Sequence, residues 1–150
     1  MEDYYVNLFD SPDSIFNPKL LPWATSKNPI GMKILISFTE PQKSIVILNG
    51  FINPEKRYLY KANRRLKTVK VISREADFCI EKEIEDIVHF EEINFPEYVN
   101  EIEIEILDFY EGEKYRDLCI QAFLPLYNGK NLNYESFELK QDFIKETLNE

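Results

Sequence analysis

Histidine is all but missing from this chain: His89 is the single copy in 150 residues. A cage of several imidazoles is therefore excluded, and a His-activated nucleophile has one candidate base. His89 lies in an apolar stretch, Ile87-Val88-His89-Phe90, with no serine or cysteine grouped beside it. A lone histidine there reads as packed or surface-exposed rather than catalytic. The neighbouring Glu91-Glu92 pair could serve acid and base roles. Among 27 acidic residues it reads instead as a solvated face. The expectation is a protein that is not an enzyme. A hydrolase would require carboxylates gathered around His89.

Cysteine occurs twice, at Cys79 and Cys119, a spacing that matches no zinc pattern. Both sit in apolar, strand-like runs and are expected to be buried free thiols. Glycine is scarce, with 4 copies, so most turns must rest on Asn, Asp and Pro. No stretch approaches the ~20 apolar residues of a membrane span. The opening Met1-Glu2-Asp3-Tyr4-Tyr5 lacks an apolar leader core. The compartment is cytoplasmic on that reading, or extracytoplasmic if a leader has been removed. Turn aspartates could hold a structural calcium ion, but no EF-hand spacing is present, and no cofactor is expected. Positive charge is also short. Net charge is -9, which argues against nucleic acid as a partner.

What the chain has is aromatic and β-branched bulk. Nine Tyr and 11 Phe, with many Ile, favour strands. The length suits one domain that buries roughly 70% of its unfolded surface. Residues 101–106, Glu-Ile-Glu-Ile-Glu-Ile, alternate without a break and predict a half-buried strand with an acidic outer face. Further strands are predicted over 32–38, 45–48, 68–72, 78–80 and 118–126, with a weaker one over 87–90. Turns are predicted at 40–43, 94–97, 110–115 and 128–131. Residues 1–20 read as irregular, 21–133 as the folded domain, and 134–150 as a charged tail, helical from about Lys140. Many short strands with no regular helix between them predict an all-β antiparallel sandwich.

The most informative stretch is 44–71. A β-branched run enters Asn49-Gly50, a pair expected to supply the positive φ angles of a reversal. Lys56, Arg57, Lys61, Arg64, Arg65, Lys67 and Lys70 follow with no acid among them. The rest of the chain keeps 11 basic against 27 acidic residues. Such a basic loop on an acidic body is either an anion or polar-ligand site built on Arg and Lys donors, or a solvated hairpin paired with its own acidic strands. Trp23 is either a stacking platform for a ligand or a staple packed behind Pro22.

Pro22-Trp23, Gly31 before a strand, residues 45–51, Tyr60-Lys61-Ala62-Asn63-Arg64-Arg65-Leu66-Lys67, and the run from Tyr110 to Ile120 together resemble a known family. It is the discoidin-like (F5/8 type C-like, galactose-binding-like) domain found at one end of bacterial NAD glycohydrolase toxins. The resemblance implies a jelly-roll sandwich that binds a glycan or a surface partner, without NADase activity. Here Lys27-Asn28-Pro29-Ile30-Gly31-Met32-Lys33 stands in place of the family's Gly-rich, acid-containing run. Gln121-Ala122 stands where the family usually has Ser-Glu.

On this reading the chain is a non-catalytic module that recognises a carbohydrate or another polar ligand through loops at one end. The candidate ligand residues are Trp23, Asn49, Phe51, Tyr60, Asn63, Arg64 and Arg65. Asn63, Arg65 and Tyr115 divide evenly between ligand contact and loop support. The alternative is a targeting domain that docks its basic loop on an acidic protein partner or a fused catalytic domain.

Overall fold

A computed structural model describes residues 3–7, 22–53, 56–127 and 130–131. The elements are β1 (Asp3–Asn7), β2 (Trp23–Thr25), β3 (Lys33–Asn49), α1 (Leu59–Ala62), β4 (Arg65–Ser73), β5 (Phe78–Glu83), β6 (Phe90–Tyr110), β7 (Leu118–Tyr127) and β8 (Lys130–Asn131). The strand order is β2-β7-β3-β6-β4-β5, with β1 parallel to β3 and β8 beside β7. Among the described residues the other strand pairings are antiparallel, and an isolated parallel bridge joins Arg64 to Leu118.

Two long strands build the sandwich. The first half of β3 pairs with the second half of β6, from Lys33↔Glu105 to Ser37↔Glu101. Beyond a corner the second half of β3 pairs with the first half of β6, from Ser44↔Asn94 to Leu48↔Phe90. Register irregularities at Ser37/Gln42 and Gln42/Ser44 mark that corner. Strands that bend and change layer at bulges are how a sandwich turns its corners. One layer thus holds β5, β4 and the outer halves of β6 and β3, with β1. The other holds the remaining halves, with β7 and β2.

The alternating faces meet between the layers. Ile34, Ile36, Val71, Ile102 and Ile104 join Ile45, Ile47, Ile93, Phe95 and Phe123 in one buried cluster. Burial is unbroken from Ile45 to Gly50. The opposite face of that run, Val46 and Leu48, is covered by Ile52, Tyr60, Val88 and Ala122. The segment after Gly50 therefore lies back over its own strand as a lid on the second layer.

Several sequence expectations change here. Residues 40–43 and 94–97 are not turns; they form the corner inside β3 and β6. Prolines 41 and 96 sit there because a corner leaves ladder hydrogen bonds unmade. Asp3–Asn7, expected to be irregular, is a strand. Residues 84–89 are irregular, with strand resuming at Phe90. Asn49 does not adopt positive φ. Gly50 does, at +89°, while Asn49 closes β3. The tail helix expected from Lys140 and the turn residues 128–129 lie outside the described residues.

Cys119 is buried and Cys79 is exposed on β5, which corrects the expectation that both are buried. Period 2 explains it: Cys79 falls on the solvent face between the half-buried Phe78 and Ile80. Burial first, then the charge of Asp117, pushes the Cys119 thiol up to about 12. A thiol-reactive dye is therefore expected to label one cysteine in the native protein and two after denaturation. Two native labels would contradict the burial of Cys119.

Candidate functional site

The segment leaving Gly50 returns to the sheet at Arg65 through a single helical turn, α1. Four residues cannot hold a helix unaided, since nucleation outweighs the one bond gained. Here each of its C-terminal carbonyls, orphaned by helix geometry, has a donor. Asn63 Nδ2 donates to Leu59 O at 2.9 Å. Arg65 Nη1 reaches Tyr60 O and Lys61 O, each at 3.3 Å. Lys61 O also accepts the Glu113 N–H at 2.9 Å, and Ala62 O accepts those of Lys114 and Tyr115 at 3.1 and 2.8 Å. Gly112 makes the last approach feasible: a Cβ there would lie 2.6 Å from Ala62 O.

Arg65 is the hub. It is 3% exposed, and its guanidinium makes a two-pronged contact with Asp86, at 2.9 Å on both oxygens. Nη1 also donates to Asn63 O at 2.7 Å and to Glu111 O at 3.3 Å. The Tyr60 and Tyr110 rings lie 5.1 and 5.7 Å from its centre, a cation–π arrangement. One side chain thus joins the 50–64 lid, the 84–89 segment and the 111–117 loop. Asp86 also takes Lys61 Nζ at 2.9 Å and the Tyr60 hydroxyl at 3.1 Å.

Burial by itself would raise the Asp86 carboxyl. The hydrogen bonds and charges of Arg65 and Lys61 outweigh it and hold the group below its ordinary range. The Tyr60 phenol is pushed far up, by burial first and then by the Asp86 charge. A carboxyl depressed in the folded state contributes stability above its unfolded pKa, about 4, and loses that contribution as pH falls through the folded value. The melting temperature is therefore expected to fall as pH drops below about 4. Asp86→Asn should flatten part of that acid limb, and an unchanged limb would assign the effect to other carboxylates.

The other candidates separate by burial. Asn49 is 2% exposed, and its amide donates to Leu66 O and accepts from Leu66 N, both at 2.8 Å. It staples the end of β3 to β4. Asn63, Tyr60 and Arg65 face inward, with their polar groups engaged as above. Trp23 is partly buried against the main core, and Phe51 is half-buried after Gly50. Arg64 pairs with Glu111 at 3.3 Å and lies 4.4 Å over Phe109. Lys67 lies 3.8 Å from Asp108, and Lys70 stands opposite Glu81 and Glu105. Much of the basic stretch is thus matched to the protein's own acids.

Of the two tyrosines that point outward here, the sequence singles out Tyr115, as ligand contact or loop support, and not Tyr58. Tyr58 is 61% and Tyr115 is 42% exposed. Both are anchored to the same residue: Ala62 N–H donates to Tyr58 O, and Ala62 O accepts the Tyr115 N–H. Their backbones bracket α1, Tyr58 at its N-cap and Tyr115 at its last carbonyl, where the 50–64 and 111–117 loops meet. His89 is elsewhere engaged, with ring nitrogens against Ile87 O at 3.0 Å and the Glu91 carboxylate. Glu91 also pairs with Lys82 at 3.3 Å. Among the described residues no cluster of three metal-type ligands occurs, and no helix is long and apolar enough to cross a membrane.

A family model described as the NAD glycohydrolase translocation F5/8 type C domain matches residues 25–123, more than half of the chain. No curated protein and no solved structure matches it.

Proposed function

Since the chain belongs to the family of NAD glycohydrolase translocation F5/8 type C domains, we propose that it is a non-catalytic module that recognises a carbohydrate through the α1 end of the sandwich. The observation that supports this is the pair of exposed tyrosines, Tyr58 and Tyr115, held on the backbone of Ala62. A flat phenol ring stacks on the apolar face of a sugar, and its hydroxyl bonds a ring substituent. The backbone that carries each ring is hydrogen-bonded before any ligand arrives, which lowers the ordering cost of binding. The titratable groups below them, Asp86, Arg65 and Tyr60, engage one another and serve as support. Asn49, Asn63 and Arg65 belong to that support on this reading.

The family description, with its reference to translocation, favours a second reading. In it the same end docks on an acidic protein partner or a fused catalytic domain. A glycan array probed with the wild type and with Tyr58→Ala/Tyr115→Ala separates the two. The proposal expects specific hits that the double variant loses while its melting temperature stays unchanged. An array with no hits would favour docking.

A further inference from the structure

β5 ends its layer, and the carbohydrate reading makes no use of it. It pairs with β4 on one side, and among the described residues no strand pairs with the other. The register from Thr68↔Glu83 to Ser73↔Phe78 runs without a bulge. Ile84 N donates to Lys67 O at 2.8 Å, so these two residues are a hydrogen-bonded pair of the same ladder. Such pairs alternate in an antiparallel ladder, so Phe78, Ile80 and Lys82 turn their backbone groups to β4. Cys79, Glu81 and Glu83 turn theirs outward, a row of N–H and C=O groups open to a further strand. We propose that this edge takes an extended basic segment of another protein as an added strand, with Lys or Arg at alternate positions.

The side chains of Cys79, Glu81 and Glu83 are exposed on the solvent face. Residues opposite one another in a sheet share a face, so alternate residues of an added strand would stand beside these acids. Among the described residues Glu81, Glu83 and Glu85 form no ion pair. The nearby cations do not cancel them. Lys82 lies on the inner face and has Glu91, Lys67 has Asp108, and Arg74 has Glu103. Arg65 and Lys61 share Asp86, which leaves one positive charge over. That charge and Lys70, opposite Glu81 and Glu105, are outnumbered by Glu81, Glu83, Glu85 and Glu105. A basic strand is therefore attracted where an acidic one is repelled. On the inner face Ile80 is half-buried, whereas Val71 opposite it on β4 is 0% exposed. Phe78, stacked at 5.7 Å on Phe95, is half-buried as well. Apolar residues between the partner's cations would complete that cover. A second copy fits poorly, since a two-fold axis sets β5 against itself and its acids would meet acids. Lys82, an inward charge on an edge strand, also discourages indiscriminate pairing. Strand addition needs a peptide backbone, which a saccharide lacks.

The test uses the full chain and synthetic peptides: a Lys-Val repeat, a Glu-Val repeat, and Lys-Val repeats N-methylated on one or the other alternate set of residues. Calorimetric titration reads affinity, and amide exchange reads the place of binding. The Lys-Val repeat is expected to bind and to slow exchange at Cys79, Glu81 and Glu83 by about tenfold or more. Methylating the amides that face β5 should abolish binding, and methylating the other set should spare it. Glu81→Gln/Glu83→Gln should weaken the Lys-Val repeat by about tenfold, with the urea midpoint unchanged. Equally tight binding of the Glu-Val repeat would overturn the choice of a basic partner. Equal affinity for the two methylated peptides would overturn strand addition and reduce the contact to charge. Protection of the same amides in the protein alone, rising with its concentration, would overturn the inference in favour of a second copy. So would no binding of the Lys-Val repeat, or protection confined to other strands, overturn it.

Discussion

Replacing Arg65 with methionine is expected to destabilise the fold by about 3–5 kcal/mol, the scale of removing one partner of a buried ion pair. The side chain is 3% exposed, and among the described residues Asp86 meets no second guanidinium. Methionine keeps the stem volume but leaves Asp86 with only Lys61 and the Tyr60 hydroxyl, and leaves Asn63 O without its 2.7 Å donor. The carbonyls of α1 lose part of their capping at the same time. Urea denaturation measures the loss, and hydrogen exchange should show residues 52–63 opening first. The pair rather than the charge is the stabilising unit, so Arg65→Met/Asp86→Leu should recover part of the loss. A single variant within about 1 kcal/mol of wild type would place Arg65 among surface ion pairs and remove the hub from the account.

Asn49→Ala is the second large effect, at about 2–4 kcal/mol, from leaving a buried donor and a buried acceptor unmet. Both belong to Leu66, 0% exposed, where β4 begins. Turn chemistry alone would ascribe a smaller cost to this residue, through positive φ. That conformation belongs to Gly50, whose Cβ would stand 2.7 Å from the Tyr60 ring. Asn49→Asp separates the two causes. It keeps an acceptor for Leu66 N but sets a carboxylate against Leu66 O, so it should cost at least as much as alanine. If φ were the cause, aspartate would be tolerated, since it enters left-handed backbone nearly as readily as asparagine. The urea midpoints of the two variants decide.

The sandwich was legible because its signal is local. The Glu-Ile repeat over 101–106 and the β-branched run at 45–48 state their pairing faces directly. The corners were not. Pro41 and Pro96 read as chain reversals, whereas each lies in a long strand that bends between layers, a distinction that rests on which strand lies opposite. The support of the site was half legible. Asn49, Tyr60, Asn63 and Arg65 stood out for their chemistry, but chemistry suited to a ligand is equally suited to capping carbonyls. For Tyr60 and Arg65 the position of Asp86 decides which, and Asp86 is one of 27 acids with no local mark. Tyr58 carried a faint signal, an aromatic directly after Lys56-Arg57. Tyr115 lay in the turn 110–115, where an aromatic can face either way.

The central claim is a division of labour: buried Arg65 and Asn49, with the half-buried Asp86, build the loop end, and exposed Tyr58 and Tyr115 use it. One paired measurement tests it most directly. The urea midpoint and the calorimetric affinity for the best array saccharide are taken for Tyr58→Ala/Tyr115→Ala and for wild type. The account predicts the same midpoint in both proteins and an affinity reduced by about tenfold or more in the variant, the scale of losing an aromatic anchor. Retained affinity with a lowered midpoint would contradict it, because the tyrosines would then be scaffold and the ligand contacts would lie elsewhere.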